Sequence, residues 1–228
     1  MIINNLDCEN GVNTNPQNIL SLKSALGEAL INRLQTGTTI SEITIQHLAL
    51  EVEIEPDVAS AIVADPYELF LHWFDTQVSQ ILVGLLEDFS EDSNASTQEK
   101  ILEALMTMLE AFASKRDILK SIHGWALKEP KFGIELAQIA YLICDRILAI
   151  SGDTRQDMLV ATFQRSLRIK GLIGLLVGIR SVWFKDMSDD LAPTFRELDK
   201  LLQQASEWGQ SLRLFDVPPD KESADLNS

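Results

Sequence analysis

The sequence predicts an all-α fold, with a short three-helix front unit followed by a larger helical bundle. Apolar residues recur at helical spacing along most of its length, and no stretch alternates with period two for long enough to argue a sheet. The stretch from Thr154 to Trp208 organises the rest. It reads as two antiparallel helices joined by a tight polar turn at Lys185 to Asp189, and eleven bulky apolar residues fall within the eighteen positions Leu167 to Phe184. A surface helix usually carries one apolar stripe about 100° wide, so this much apolar surface calls for a second copy of the chain as its cover. Gly171, Gly174 and Gly178 fall on one side of that helix. Glycine within a helix costs about 1 kcal/mol against alanine, and close approach of another helix offsets the cost. The expected two-fold seam therefore takes Leu167, the three glycines and Trp183 from the first helix, and Phe195, Leu198 and Leu202 from the second.

The totals narrow the function. With 228 residues and 46% hydrophobic content the chain has the length and composition for a real core. Its net charge of −15 opposes nucleic acid and anionic membrane surfaces, whose binding needs a local excess of Lys and Arg. Cys8 lies in a polar tail and Cys144 in an apolar run, poorly placed for a framework disulfide, which points to the cytoplasm. No basic segment followed by an apolar one opens the sequence, so a secretory leader is not expected. The apolar run Gly171 to Ile179 is nine residues between Lys170 and Arg180, too short to span a bilayer.

Taken in order, residues 1–16 are asparagine-rich and read as a mobile tail. Ile19, Leu22, Leu26, Leu30 and Leu34 keep helical spacing from Gln17 to Gln35, and Thr36, Gly37 and Thr38 supply the stop. Ser41 is the expected cap of a second helix holding Ile43, Ile45, Leu48 and Ala49, and Pro56 opens a third through Val58, Ile62 and Val63. A fourth, Pro66 to about Phe89, carries a broad apolar face including Phe70, Trp73, Val78 and Leu82. The acidic, Ser- and Asn-rich stretch Glu87 to Gln98 is the expected boundary between a front unit at 17–88 and a bundle at 97–210. In the bundle, helices are expected over Ile101 to Ala113, Asp117 to Leu127 and Phe132 to Ile150, before the glycine-containing helix. Ser188 or Asp189 is expected to cap the last one, and residues 216–228 read as a disordered tail.

Chemistry is sparse. Glu68 and His72, four apart on a helix, are two metal-capable groups where a site needs three or four, and His47 and His123 fall on other helices. No phosphate loop, nucleophile elbow or paired carboxylates at catalytic spacing occur, so the chain reads as a non-enzyme with no cofactor.

Three short helices feeding a long fourth, then a helical rear closing in a two-helix dimerisation unit, is an order similar to that of the TetR family of transcription regulators. In the rear, Trp183, Asp186, Ser188, Asp190, Leu191, Pro193, Thr194, Phe195 and Leu198-Asp199 resemble the closing helices of many such proteins. A related group, the TetR-like lipid-binding accessory proteins of ubiquinone biosynthesis, is resembled by Asp145-Arg146, Gly152-Asp153-Thr154 and Asp157. The resemblance implies a homodimer with a DNA-reading front and a ligand-holding rear. The front departs from the pattern: Ser60 stands where the DNA-binding members carry an aromatic, Val63 where they carry phenylalanine, and Pro66 where lysine is common. Residues 1–90 hold two basic side chains, Lys23 and Arg33, against thirteen acidic ones, a net charge of −11. The resemblance favours an operator and the charge opposes one, so the two partners, DNA or none, stay in balance.

The rear helices carry a bulky set: Met106, Leu109, Phe112, Ile122, Trp125, Phe132, Leu136, Ile139 and Ile143, with Phe163 able to face them. Packing alone reads this as a filled core. The resemblance implies instead a cavity for an apolar small molecule or lipid, oriented by polar groups such as Gln138 and Tyr141, since no Arg or Lys cluster on these faces would receive an anion. Three functions follow: a ligand-responsive regulator, a lipid- or quinone-binding accessory protein without DNA, or a plain interaction module.

Overall fold

The computed structural model describes residues 16–91, 95–152 and 159–211. Among them lie nine α-helices and two short 3-10 turns, and no strand. The tails read from the sequence lie almost wholly outside the described residues, as do Asp153, Thr154 and Asp157.

The chain divides into two compact units, the first ending at Phe74 and the second starting at Asp75. That division falls inside the long fourth helix, whereas the sequence reading placed it at the acidic stretch 87–98. Composition marks where a chain is polar; compactness depends on which half of a long helix packs against which neighbours, and a continuous apolar face hides the change.

In the first unit, α1 (Pro16–Gln35) crosses α2 (Ile45–Glu51) and α3 (Pro56–Ile62), and the opening turns of α4 (Pro66–Glu91) complete the core. Leu26, Leu30, Ile31, Leu48, Leu69 and Phe70 are fully buried there. Gly27 allows α1 close to α4, because a Cβ at that position would sit 3.3 Å from Cβ of Trp73. The Trp73 indole N–H donates to Glu28 Oε1 at 2.9 Å, and the Phe70 and Phe74 rings stack at 6.0 Å. Gly37, at φ +89°, ends α1 as its sequence promised. Ser41 does not cap α2. It lies in a 3-10 turn, Ile40–Glu42, and the cap is Thr44, whose hydroxyl accepts the His47 N–H at 3.3 Å. Thr38, Thr39, Ser41 and Thr44 all stand ahead of Ile45, and any of them satisfies the sequence rule.

In the second unit α8 (Leu159–Trp183) lies between α7 (Pro130–Ile150) and α9 (Ala192–Ser211), while α5 (Thr97–Ala111) touches both α7 and α9, and α6 (Arg116–Ala126) packs on α7. Leu105, Ile147, Leu148, Ile169, Ile179 and Leu198 form its innermost layer. α5 starts four residues ahead of its expected position because Ser96 and Glu99 form a capping box: Ser96 Oγ accepts the Glu99 N–H at 3.3 Å, and the Glu99 carboxylate accepts the Ser96 N–H at 2.7 Å. Arg165 ties α8 to α7 through the Asp145 carboxylate at 2.6 Å and the Asp145 carbonyl at 2.8 Å. Arg146, on the next face of α7, pairs with Asp75 and donates to Ser79 Oγ at 2.7 Å. The dipeptide Asp145-Arg146 therefore has a packing role. Cys144 beside it is wholly buried.

Candidate functional site

α2 and α3 form the first candidate, a helix pair joined by a turn in which Glu53 takes φ +56°. Leu48, Ala49 and Ala59 are buried and clamp the pair together. What α3 shows to water is Asp57, Ser60 and Ala61, with Ala64 just beyond it. Ser60 Oγ accepts a hydrogen bond from Gln46 Nε2 at 3.3 Å, and Val63 is buried. The two basic side chains of this unit are already engaged. Lys23 Nζ lies 2.9 Å from Glu68 Oε1, and Arg33 pairs with Glu51. Glu68 also accepts the Ala64 N–H at 2.9 Å, so it closes the α3–α4 turn and is not half of a metal site with His72. Among the described residues no group of three or more ligating side chains comes together.

The α8–α9 turn is the second candidate, because it carries the residues of the family resemblance. Asp186 is buried and accepts four hydrogen bonds, from Ser188 N–H at 3.1 Å and Oγ at 2.5 Å, and from Thr194 N–H at 3.0 Å and Oγ1 at 2.6 Å. Burial by itself pushes this carboxyl up; the hydrogen bonds from Ser188 and Thr194 outweigh it and hold the group at about 2, against an ordinary 3.8. Asp186, with Asp190 accepting the Ala192 N–H at 3.2 Å, thus caps α9, in place of the expected Ser188 or Asp189. Leu191 bridges cap and helix at φ +46°, a strained backbone for a branched residue, and its side chain is buried. Trp183 donates its indole N–H to the Leu109 carbonyl at 3.2 Å, and the Arg116 guanidinium lies over its ring at 5.2 Å. These residues fix the turn onto α5 and α6.

A groove of about 510 Å³ opens between α5 and the start of α9. One face of α5 lines it with Glu99, Leu102, Glu103, Met106, Thr107 and Glu110, and Asp190, Ala192 and Phe195 line the opposite wall. Of the ten residues read as ligand-binding, it takes Met106 alone. Leu109, Phe112, Ile122, Phe132 and Ile143 are buried in helix packing, Trp125, Leu136 and Ile139 are half-buried, and Phe163 is exposed. Tyr141 is half-buried and Gln138 exposed. His123 meets Arg180 between α6 and α8; burial, then the positive charge of Arg180, pushes the imidazole below its usual range.

No protein-family model matches the sequence, and no curated protein matches it. Among solved structures, a TetR transcriptional regulator from Nitrosomonas europaea superposes with a TM-score of 0.64 at 15% identity, over 82% of this chain and 99% of the other. The chain has a TetR-like fold. The similarity extends over both units, so the order of helices read from the sequence corresponds to an architecture and not to a motif alone.

Within the TetR-like fold, the residues read as a seam between copies divide into two sets. Gly171 and Gly174 are exposed, and a Cβ on either would meet no atom within 4 Å. Leu167 is half-buried, and Phe195 is 45% exposed. Gly178 faces α9, where its Cβ would sit 3.3 Å from Leu201 Cδ1. Trp183, Leu198 and Leu202 are buried inside the protomer and have no free surface for a second copy. Periodicity identifies an apolar stripe but not whether its cover is α9 of the same chain or another chain. No described helix is long and apolar enough to cross a membrane.

Proposed function

We propose that this chain is a ligand-responsive, homodimeric regulatory protein of TetR-like fold, acting by binding and not by catalysis in the cytoplasm, with a front unit that does not grip duplex DNA by phosphate neutralisation. The regulatory reading is supported by the shared fold with the Nitrosomonas europaea regulator. The departure from repressor chemistry is supported by one observation: both cations of the first unit, Lys23 and Arg33, are paired to carboxylates, and α3 shows Asp57, Ser60 and Ala61 to solvent. Neutralising several phosphates needs several free cations, and breaking these pairs would expose Glu68 and Glu51 to the same phosphates. A gel-shift series with genomic fragments at about 150 mM salt, where electrostatic binding is already weakened, is expected to retain none of them. Sequence-specific retention would restore an ordinary repressor.

The same front chemistry favours a second reading, a lipid- or quinone-binding accessory protein that works without DNA. Organic extraction of the purified protein followed by mass spectrometry separates the two: a stoichiometric lipid or quinone selects the accessory protein.

A further inference from the structure

We propose that Met187, in the turn between α8 and α9, is a site of reversible oxidation by peroxide, and that Arg116 holds the sulfoxide that forms. The Met187 side chain is 79% exposed, whereas Met106 and Met108 are buried in α5. Its sulfur already has a partner: it accepts a hydrogen bond from Arg116 Nη1 at 3.6 Å, which links the turn to the first residue of α6. A thioether is a weak acceptor and a guanidinium a strong donor, so the bond is poorly matched.

Arg116 lacks a better acceptor. It is 9% exposed, its Nε has no hydrogen-bond partner, and no carboxylate among the described residues pairs with it. Its remaining contact is the Trp183 ring, 5.2 Å from the guanidinium carbon. Arg165, with a side chain 11% exposed, shows the ordinary solution, an ion pair with Asp145 at 2.6 Å. A buried charge without an anion or a strong acceptor is costly. Asp186 directs its four hydrogen bonds to Ser188 and Thr194, so it fixes the backbone that carries the Met187 sulfur and makes no bond to Arg116. Oxidation supplies the missing acceptor. A sulfur lone pair attacks one oxygen of hydrogen peroxide, the S–O bond forms as the O–O bond breaks, and the departing hydroxide takes the proton of the transferred oxygen and leaves as water. The sulfur is oxidised and the peroxide reduced. The 3.6 Å between sulfur and Nη1 leaves room for an oxygen set off that line, about 2.9 Å from the donor. An exposed thioether thereby becomes a charge-assisted clamp from the α8–α9 turn to α6, and a sulfoxide reductase drawing on a dithiol restores the thioether.

Hydrogen peroxide treatment of the full chain, followed by peptide mass mapping and urea unfolding, tests this. Met187 is expected to gain one oxygen while Met106 and Met108 gain none. The oxidised protein should unfold at a higher urea midpoint, with its unfolding equilibrium constant lowered about tenfold, the difference between a weak hydrogen bond and a charge-assisted one; sulfoxide reductase should reverse the rise. Met187→Leu keeps the bulk and takes no oxygen at that position, so the same treatment should leave its midpoint unraised and subtracts the effect of oxidation elsewhere. Met187→Gln places an amide oxygen where the sulfoxide oxygen would stand, and should unfold at a higher midpoint than Met187→Leu without peroxide. Both gains should vanish in an Arg116→Leu background; where that background does not fold, the comparison of Gln with Leu at Met187 decides. Oxidation of Met106 or Met108 ahead of Met187, an oxidised protein no more stable than its reduced form, equal midpoints for Met187→Gln and Met187→Leu, or a gain that survives the loss of Arg116 overturns the inference. The regulatory reading stands or falls apart from these results.

Discussion

Asp186 and Thr194 are joined twice across the α8–α9 turn, the carboxylate taking both the backbone N–H at 3.0 Å and the hydroxyl at 2.6 Å. Thr194 is fully buried, so Asp186→Ala would strand a donor pair and uncap α9 together. The expected loss is about 2–4 kcal/mol, from an unsatisfied buried group and a lost cap, read as a lower urea midpoint. The pH dependence has a definite sign. The folded carboxyl sits at about 2 and the free one at 3.8. Its contribution is therefore complete above 3.8 and is lost as pH falls towards 2. Asp186→Asn should show a flatter decline in urea midpoint across that window than the native protein; parallel declines would remove Asp186 from the account.

Trp183→Phe should cost less than Trp183→Ala. The first loses mainly the bond to the Leu109 carbonyl and the stacking with Arg116, and the second also opens a cavity under α5, for a total of about 3–5 kcal/mol. Equal losses in chemical denaturation would mean that the ring's bulk contributes little.

Gly171 and Gly174 give a two-way test. In an isolated protomer alanine at Gly174 is free of clashes and should stabilise α8 by up to about 1 kcal/mol. In a packed dimer, Gly174→Leu should separate the copies or drive aggregation while the helical circular dichroism is kept. Light scattering at micromolar concentration decides it, and a monomeric native protein would dispose of the seam.

Phe132 and Ile122 are both buried in the second unit, and truncation separates a filled core from an enclosed cavity. Phe132→Ala is expected to cost about 3–5 kcal/mol as a core truncation, read as a lower urea midpoint. A native-like midpoint in the variant would mean that the ring borders open space and not packed side chains.

Much of the fold was legible because helix punctuation is local. Pro66 and Gly37 mark the start of α4 and the end of α1 within a residue or two of the observed bounds. Where several residues satisfied one rule, the choice failed: Thr44 took the cap from Ser41, and Asp186 with Asp190 took it from Ser188 and Asp189. The signature Ser96-x-x-Glu99 is a local one, and it starts α5 ahead of its apolar run. The groove was half legible, since Glu99, Leu102, Glu103, Met106 and Glu110 share one face of a helix. Its other wall, Asp190 to Phe195, comes from some eighty residues downstream, and no periodicity reports that α9 begins beside α5.

The burial of Cys144 makes α7 its own reporter. With the thiol pushed up to about 12 by its surroundings, fewer than about one molecule in ten thousand carries a thiolate at neutral pH. Alkylation in a Cys8→Ser background would then proceed only as fast as the helix exposes that position. The reaction rate becomes a clock for transient opening of the second unit, and a ligand that holds the unit closed would slow the clock without any need to see the ligand itself.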